Sequence, residues 1–294
     1  MPRRNKPSPA RGAPRIGRGA STAWSGAGEP RASSPGKRRA LGQHFLRDAG
    51  IARAIVDLIA PTPSDLVVEI GPGQGALTQE LAGRAGRLIA LEVDRPLLEP
   101  LRRRWPAVEI LEADARTWDY GVLERPAGGR VLVVGNLPYS VGKPIVAALL
   151  EARAVIDVMA LMLQREVAER LAAPPGGKVY GALSVLTQAV CDVELALRVS
   201  PGAFRPPPKV DSAVVRLTPR AQSRVPVALD ARFREVVRAA FARRRKMLAN
   251  ALAGGLGLPL DTVRDAAATA GVDPGRRAET LSIEEFVSLT ARLS

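Results

Sequence analysis

Hydrophobic residues follow two alternating patterns from about residue 47 onward. Segments such as IARAIVDLIA and ALTQELAG have the apolar spacing of a helix, whereas short continuous apolar runs are typical of buried parallel strands. The spacing predicts right-handed β–α–β crossovers and an α/β fold with an open, doubly wound, mostly parallel sheet, which binds ligands outside the carboxyl ends of its strands. The apolar runs are LVVEI (66–70), RLIALEVD (87–94), VEILEAD (108–114), RVLVVGN (130–136) and VIDVMALMLQ (155–164).

The last third of the chain has a different pattern. Residues 190–199 and 210–217 alternate at period two with no helix between them, which predicts an antiparallel pair of strands at one edge of the sheet. We therefore predict an α/β domain over 39–222 and a small all-helical C-terminal domain over 223–294. Within the second domain, helical spacing covers 230–252, about 258–270 and about 282–292.

Residues 1–38 show no periodicity and contain only Ile16 and Trp24 as large apolar groups. Such a segment cannot bury enough surface to offset the entropy of ordering, so we predict a disordered basic tail. An organelle-targeting peptide is the alternative, because the tail is rich in arginine and almost free of acid. No run of about 18 apolar residues predicts a membrane span, so we expect the cytosol or an organelle interior. Of these two we favour a bacterial cytoplasm.

The formal charge of +14 is concentrated in two blocks. Residues 1–40 hold ten Lys and Arg against one acid, and residues 201–250 hold twelve against three. Blocks of this kind attract polyanions, most often nucleic acid, although a solubilising face is the alternative. One cysteine, Cys191, excludes a disulfide within the chain, and one histidine, His44, excludes a histidine-rich metal centre. We expect no metal.

Three glycines, Gly71, Gly73 and Gly75, follow the first predicted strand and precede a helix. Glycine there lets the backbone turn sharply and lie against a ligand. Glu92 lies 21 residues beyond Gly71, where nucleotide-binding sheets place a carboxylate for ribose hydroxyls. The GxGxG spacing favours S-adenosylmethionine over a dinucleotide, because S-adenosylmethionine has no pyrophosphate. Asp114, at the end of the third strand, is a candidate acceptor for the adenine amino group; a helix N-cap or solvated loop is the alternative for each acid.

The stretch Asn136, Leu137, Pro138, Tyr139 ends the fourth strand at the same predicted rim. The exocyclic amine of adenine is a poor nucleophile, because its lone pair is delocalised into the ring. The Asn136 side-chain oxygen and a main-chain carbonyl left free before Pro138 can draw both N–H bonds out of the ring plane. Alignment with an activated methyl group then supplies the rate. An Asn-initiated turn with a half-buried tyrosine is the alternative.

Two aromatic side chains are candidates for stacking on a flipped-out base. Tyr139 offers one face and Phe204, in a proline-stiffened segment, the other; base–aromatic stacking is worth about 1–3 kcal/mol. Four consecutive cations in FARRRKMLANAL suit phosphate contacts if they fan around a helix, with a solvated face as the alternative. They are Arg243, Arg244, Arg245 and Lys246.

These motifs together resemble the ribosomal RNA small-subunit adenine dimethyltransferases, which share a fold with the erythromycin-resistance methyltransferases and mitochondrial transcription factor B. The likeness covers roughly residues 40 to 290. It is carried by LGQHFL, VVEIGPGQGALT, LEVD, EAD, GNLPY, LMLQREVAERL, YGALSVLTQ, FRPPPKVDSAVVRL, FARRRKMLANAL and RAETLSIEEF.

The resemblance implies a Rossmann-like class I methyltransferase that uses S-adenosylmethionine. Its implied reaction places two methyl groups on N6 of each of two adjacent adenines in the loop of the last helix of small-subunit rRNA. It also implies a set of binding residues, matched motif by motif: His44 and Leu46 at the cofactor's methionine end, Gly71 in the loop beneath it, Glu92 at the ribose, Asp114 at the adenine, and Asn136 at both cofactor and target.

One departure lies beside the predicted active site. After NLPY the family commonly has Asn-Ile-Ser followed by Thr or Ser, whereas this chain has Ser140, Val141, Gly142 and Lys143. Lys143 adds a positive charge at the mouth of the site, so we expect Lys143 to contact RNA and the RNA contacts there to differ from those of the family.

Three interpretations follow. The first is a monomeric small-subunit rRNA dimethyltransferase with a role in subunit biogenesis, whose partner is the small ribosomal subunit and its rRNA. The proline-rich FRPPPKVDSAVVRL and the Leu of NLPY favour this interpretation over the second, a large-subunit rRNA methyltransferase that confers antibiotic resistance. The third is a non-catalytic assembly or RNA-binding factor, against which the complete set of Asn136, Tyr139, Glu92 and Asp114 argues.

Overall fold

The computed structural model describes residues 43–243 and 245–293, and it has helices and strands in the predicted alternation. The strands are β1 Phe45–Leu46, β2 Leu66–Ile70, β3 Arg87–Glu92, β4 Glu109–Glu112, β5 Val131–Asn136, β6 Val158–Gln164, β7 Cys191–Val199, β8 Phe204–Arg205 and β9 Ser212–Pro219. The helices are α1 Ala49–Ile59, α2 Ala76–Leu81, α3 Arg95–Arg104, α4 Gly142–Glu151, α5 Arg165–Ala172, α6 Ala182–Gln188, α7 Asp230–Ala242, α8 Leu248–Leu256, α9 Leu260–Thr269 and α10 Ile283–Arg292.

Seven strands form one sheet in the order β4-β3-β2-β5-β6-β9-β7. The pairs from β4 to β6 are parallel, and β9 is antiparallel to both β6 and β7. The doubly wound sheet and the antiparallel pair at its edge are therefore confirmed. After β2, the chain adds β3 and β4 on one side of β2 and then crosses to add β5 on the other side. This reversal creates a topological switch point between β2 and β5.

The register of the strands places the predicted site residues at one rim. Ile70 pairs with Leu91 on one side and Gly135 on the other, and Asn136 pairs with Met162. The carboxyl ends of β2, β3 and β5 therefore lie side by side. Because β9 runs antiparallel, its amino end lies at this rim too, where Ser212 pairs with Gln164.

Each face of the sheet carries one hydrophobic cluster. Helices α1, α2 and α3 cover one face together with β1 and β8. The other face shares a single cluster with the C-terminal helices, whose Phe233 and Phe286 are fully buried. The helical region therefore completes the core of the sheet. The boundary between 222 and 223 stays a prediction, as does the tail at 1–38, which lies outside the described residues.

The predicted helix over 230–252 is wrong, because the chain breaks it into α7 and α8. Arg243 has a non-helical conformation with φ −128° and ψ 79°. The first N–H groups of α8 find partners elsewhere: Leu248 N–H donates to the Arg276 carbonyl at 2.8 Å, and Ala249 N–H to the Pro274 carbonyl at 3.2 Å. A tertiary contact, which local spacing does not encode, therefore overrides the helical pattern. Arg243, Arg245 and Lys246 lie in a loop rather than on a helix, and Arg244 lies outside the described residues.

Several elements have no counterpart in the sequence-based prediction. Strands β1 and β8 form a two-stranded antiparallel sheet in which Leu46 pairs with Phe204. Helices α5 and α6 lie within residues 165–188, separated by a non-helical stretch at 173–181. No helix among the residues described is long and apolar enough to cross a membrane.

Gly75 tests how the glycine loop is packed. Its φ is +85°, and an added Cβ would lie 2.0 Å from Cη2 of Trp105. Gly75→Ala should lower the free energy of unfolding by about 3 kcal/mol, since left-handed strain of roughly 1–2 kcal/mol adds to an overpacking cost of about 1–3 kcal/mol. Gly83, with φ +84° and open space around it, is the matched control and should cost the strain alone. Equal losses in urea unfolding would contradict this packing.

Candidate active site

A cavity of about 390 Å³ lies at the rim formed by the carboxyl ends of β2, β3, β4 and β5. Its walls come from the segments that the sequence singled out, and from the segment preceding β1. The lining residues with a predicted role are His44, Gly71, Gly73, Glu92, Asp114, Asn136, Leu137, Pro138 and Tyr139. Those that sequence reasoning missed include Gln43, Phe45, Val93 and Arg116.

The glycine loop forms the floor of the cavity. Gly71 and Gly73 have φ values of +65° and +59°, which side-chain-bearing residues rarely adopt. A Cβ on Gly73 would lie 2.9 Å from Cδ1 of Phe45. The glycine at this position therefore allows the Phe45 ring to lie directly on the loop. The LGQHFL motif contained Phe45, but no local pattern showed that it reaches the loop.

Glu92 is the buried acid of the site, with 4% of its surface exposed. One carboxylate oxygen accepts the Gly73 N–H at 3.1 Å, and the other accepts the Asp94 N–H at 2.8 Å. Burial raises the pKa of Glu92, although both backbone hydrogen bonds oppose the rise. Each carboxylate oxygen keeps a lone pair that can accept from a further donor. The two backbone hydrogen bonds also fix the orientation of the Glu92 side chain.

Asp114 is paired with a cation that the sequence analysis did not consider. Nε of Arg116 donates to both Asp114 oxygens at 2.9 and 3.0 Å, and the Arg116 N–H donates to Oδ1 at 2.9 Å. These contacts lower the pKa of Asp114. Because Arg116 lies only two residues after Asp114, the sequence already indicated that the two side chains could form an ion pair.

Asn136 connects the end of β5 to the segment before β1. Its Nδ2 donates to the carbonyl of His44 at 2.9 Å, across 92 positions of the chain. The Asn136 amide is therefore oriented, and Oδ1 remains available as an acceptor. The following turn is closed by the Val141 N–H, which donates to the Pro138 carbonyl at 3.1 Å, so this turn does not use the Leu137 carbonyl.

The ring of Tyr139 is half-buried at the cavity wall and contacted from two sides. Its hydroxyl lies 2.6 Å from Oγ of Ser212, and the centre of its ring is 5.4 Å from that of His44, at a tilt of 36°. Nδ1 of His44 is in turn 2.8 Å from the Pro206 carbonyl. Burial raises the pKa of Tyr139, so its hydroxyl stays protonated near neutral pH.

Two residues predicted to contact the base or the cofactor do not line this cavity. Phe204 is 2% exposed and packs in the core beside β1, away from the cavity wall. Leu46 is buried and borders a separate, water-sized cavity of about 20 Å³ beneath the glycine loop. Both lie in the two-stranded β1–β8 sheet, whose pairing turns their side chains inward. A stacking role for Phe204 therefore requires a different position of its ring.

The predicted cationic residues lie on exposed surface. Lys143 is in the first turn of α4, next to the cavity-lining Ser140 and Val141. Arg243, Arg245 and Lys246 are exposed in the loop between α7 and α8. Among residues 43–243 and 245–293, no three His, Cys, Asp or Glu side chains are clustered as metal ligands would be.

The sheet, its glycine floor and the carboxylates at successive strand ends define the class of Rossmann-like methyltransferases. The acceptor-bearing turn after β5 adds a place for a nucleophile at the same rim. The model of the ribosomal RNA adenine dimethylase family matches residues 35–294. The chain therefore belongs to the ribosomal RNA adenine dimethylase family, which confirms the resemblance seen in its motifs.

Relatives of known name cover most of the chain. It is 48% identical over 261 residues to the ribosomal RNA small subunit methyltransferase A of Geobacter sulfurreducens, covering 87% of this chain and 95% of that protein. It is 45% identical over 259 residues to the protein of the same name from Thiobacillus denitrificans, covering 87% and 98%.

Two solved structures share the fold over nearly their whole length. A dimethyladenosine transferase from Plasmodium falciparum superposes with a TM-score of 0.72 at 26% identity, covering 84% of this chain and 96% of that one. The 23S rRNA methyltransferase ErmE superposes with a TM-score of 0.65 at 30% identity, covering 85% and 99%. The fold therefore occurs in methyltransferases named for different ribosomal RNAs.

The pairing of Arg116 with Asp114 is directly testable. Arg116→Met should raise the pKa of the Asp114 carboxyl toward its ordinary value, because the donors that favour the carboxylate are removed. In the unaltered protein the ion pair stabilises the fold above the unfolded-state pKa of Asp114, and this contribution is lost as the pH falls through the lowered folded-state pKa. In Arg116→Met this pH-dependent contribution should be absent. Carbon-13 NMR titration of the Asp114 carboxyl measures the change. Arg87→Met removes a similar pair with Glu109 at the amino ends of β3 and β4, and should leave the pKa of Asp114 unaffected. An unchanged pKa of Asp114 in Arg116→Met would exclude Arg116 as the cause.

Proposed function

We propose that this protein transfers methyl groups from S-adenosylmethionine to N6 of two adjacent adenines in the loop of the 3′-terminal helix of small-subunit rRNA. The observation that carries the proposal is the turn from Asn136 to Tyr139. It sets two oxygen acceptors and an aromatic ring at the mouth of a nucleotide-sized cavity. Membership of the adenine dimethylase family supports the same chemistry.

The residues of the cavity fit S-adenosylmethionine. A side chain on Gly73 would push into Phe45, so only glycine leaves the floor open to a ligand. The Glu92 carboxylate, held by two backbone N–H groups, suits ribose hydroxyls, and the Asp114 carboxylate suits the adenine amino group. Gln43, His44 and Phe45 close the side nearest the glycine loop. When bound, S-adenosylmethionine supplies a methyl group on a positively charged sulfur.

The protein's own contribution is to orient the target amine. Oδ1 of Asn136 and the carbonyl of Leu137 accept the two N–H bonds of the N6 amine, which draws its lone pair out of conjugation with the ring. The His44 carbonyl keeps the Asn136 amide from rotating, because Nδ2 donates to it. Orientation of this kind contributes to rate without any strong base. Methyl transfer by this route therefore needs no histidine or cysteine as nucleophile or base.

Tyr139 receives the flipped-out base on its ring. Stacking worth about 1–3 kcal/mol offsets part of the few kcal/mol needed to unstack a nucleotide. A second stacking face from Phe204 requires the segment from Phe204 to Lys209 to move when the base enters, since the ring is in the core here. We therefore assign the first face to Tyr139 and keep Phe204 as a prediction.

Exposed cations on two parts of the surface contact the RNA backbone. Lys143 lies at the cavity mouth, and Arg243, Arg245 and Lys246 project from the loop between α7 and α8. Cations in a loop suit phosphate contacts, which position a nucleic acid without reading its sequence. Arg244, adjacent in sequence, is predicted to join them. The partner is the small ribosomal subunit, bound by a monomer in the bacterial cytoplasm.

The small-subunit target is favoured over the large-subunit one by degree of similarity. Identity reaches 48% with a relative named for the small subunit, against 30% with a methyltransferase named for 23S rRNA. The decisive experiment incubates the protein and labelled S-adenosylmethionine with unmodified small subunits and, separately, with unmodified large-subunit RNA. N6,N6-dimethyladenosine confined to the 3′ end of small-subunit RNA is expected. Label in large-subunit RNA would overturn the target, and no label despite cofactor binding would favour a non-catalytic assembly factor.

Asn136→Ala should lower turnover by at least about 100-fold, the loss expected when a reacting group is misplaced. RNA affinity should be unchanged, because the exposed cations that contact phosphate are intact. Single-turnover methylation and a filter-binding titration separate the two effects. Turnover that persists in Asn136→Ala would remove the amine-orienting role.

Charge reversal in the basic loop tests the RNA surface. Arg245→Glu combined with Lys246→Glu should weaken RNA binding and reduce the slope of log affinity against log salt by about one for each phosphate that the loop no longer neutralises. The matched control is Arg102→Glu with Arg103→Glu on α3, which covers the opposite face of the sheet. A salt slope equal to that of the control would make the loop a plain solvated surface.

A further inference from the structure

The hydroxyl of Tyr139 has a partner that is not among the groups proposed to bind cofactor or target. Oγ of Ser212 lies 2.6 Å from the phenolic oxygen, 73 positions away in the chain. Ser212 is fully buried and does not line the cavity. Ser212 therefore contacts the hydroxyl end of Tyr139 from the sheet, and not from the cavity.

Ser212 occupies a fixed position because three strands meet there. It is the first residue of β9, where it pairs with Gln164 of β6 on one side and Val199 of β7 on the other. The preceding residue, Asp211, is anchored as well: its carbonyl accepts the Arg165 N–H at 3.0 Å, and its carboxylate pairs with the Arg165 guanidinium at 3.0 Å. A hydroxyl in such a place cannot easily move.

Tyr139, by contrast, lies in a turn after β5, outside the ladder of the sheet. A tyrosine ring rotates about two side-chain bonds, and its plane decides where a stacked base lies. The contact with His44 restrains the ring at one position, and the hydrogen bond to Ser212 fixes its far end. Together, the His44 contact and the Ser212 hydrogen bond hold the Tyr139 ring in one orientation, although the turn alone would allow several side-chain orientations.

We propose that Ser212 is a positioning residue for methyl transfer: it fixes the ring plane of Tyr139, and so the place of the target adenine relative to the acceptors on Asn136 and Leu137. The inference rests on the proposed stacking role of Tyr139. Its consequence is specific, because the loss of one hydroxyl, outside the cavity, should slow methylation without altering the cofactor site.

The test compares Ser212→Ala, Tyr139→Phe and the double variant in the full-length protein. Each single change removes the same hydrogen bond and should lower single-turnover methylation of small subunits roughly fivefold, the ratio given by the net value of one hydrogen bond. The double variant should be no slower than either single one. Affinity for S-adenosylhomocysteine, measured by calorimetry, should stay within about twofold of the unaltered protein, and Ser212→Thr, which keeps the hydroxyl, should restore the rate.

The control is Ser184→Ala, which removes a fully buried serine hydroxyl that donates to the Arg170 carbonyl and has no contact with Tyr139 among the described hydrogen bonds. It should reduce thermal stability without changing the methylation rate, which separates positioning from general destabilisation. Normal methylation by Ser212→Ala, or a double variant whose loss is the product of the two single losses, would overturn the inference. Normal methylation by Tyr139→Ala would instead remove the stacking role itself.

Discussion

The hydrogen bond from Nδ2 of Asn136 to the carbonyl of His44 is the contact on which the site depends. It joins the end of a central strand to a segment that pairs with the distant β8 through β1. The same bond fixes the Asn136 amide and leaves Oδ1 available as an acceptor. The residue after His44, Phe45, lies against the glycine floor beside it. One contact across 92 residues therefore couples the walls of the cavity to the orientation of its reacting group.

The sheet makes this arrangement possible. Its switch point brings the ends of β2, β3 and β5 together, and the antiparallel β9 brings the beginning of a fourth element to the same rim. Buried strands supply rigid ends, while glycines with positive φ let the chain turn tightly between them. Chemistry in this protein then consists mainly of holding acceptors and an aromatic ring in place, which suits a methyl donor that is already strongly activated.

The fold was largely predictable because buried strands and amphipathic helices leave local patterns in the sequence. Glu92, Asp114 and Asn136 could be placed at one rim for the same reason, since parallel strands share their carboxyl edge. Long-range contacts left no such signal. The pairing of β1 with β8 buries Phe204, the contacts of α8 with residues 274 and 276 end the helix predicted through 243–247, and Ser212 meets Tyr139 across 73 positions.

The central claim is that Asn136 and Leu137 orient the target amine. The most direct measurement is a crystal structure of the protein with S-adenosylhomocysteine and an RNA fragment carrying the target adenine. We expect N6 to lie at hydrogen-bond distance, about 2.7–3.2 Å, from both Oδ1 of Asn136 and the Leu137 carbonyl, with the base on Tyr139. An adenine bound with its N6 amine turned away from both oxygens would contradict the claim.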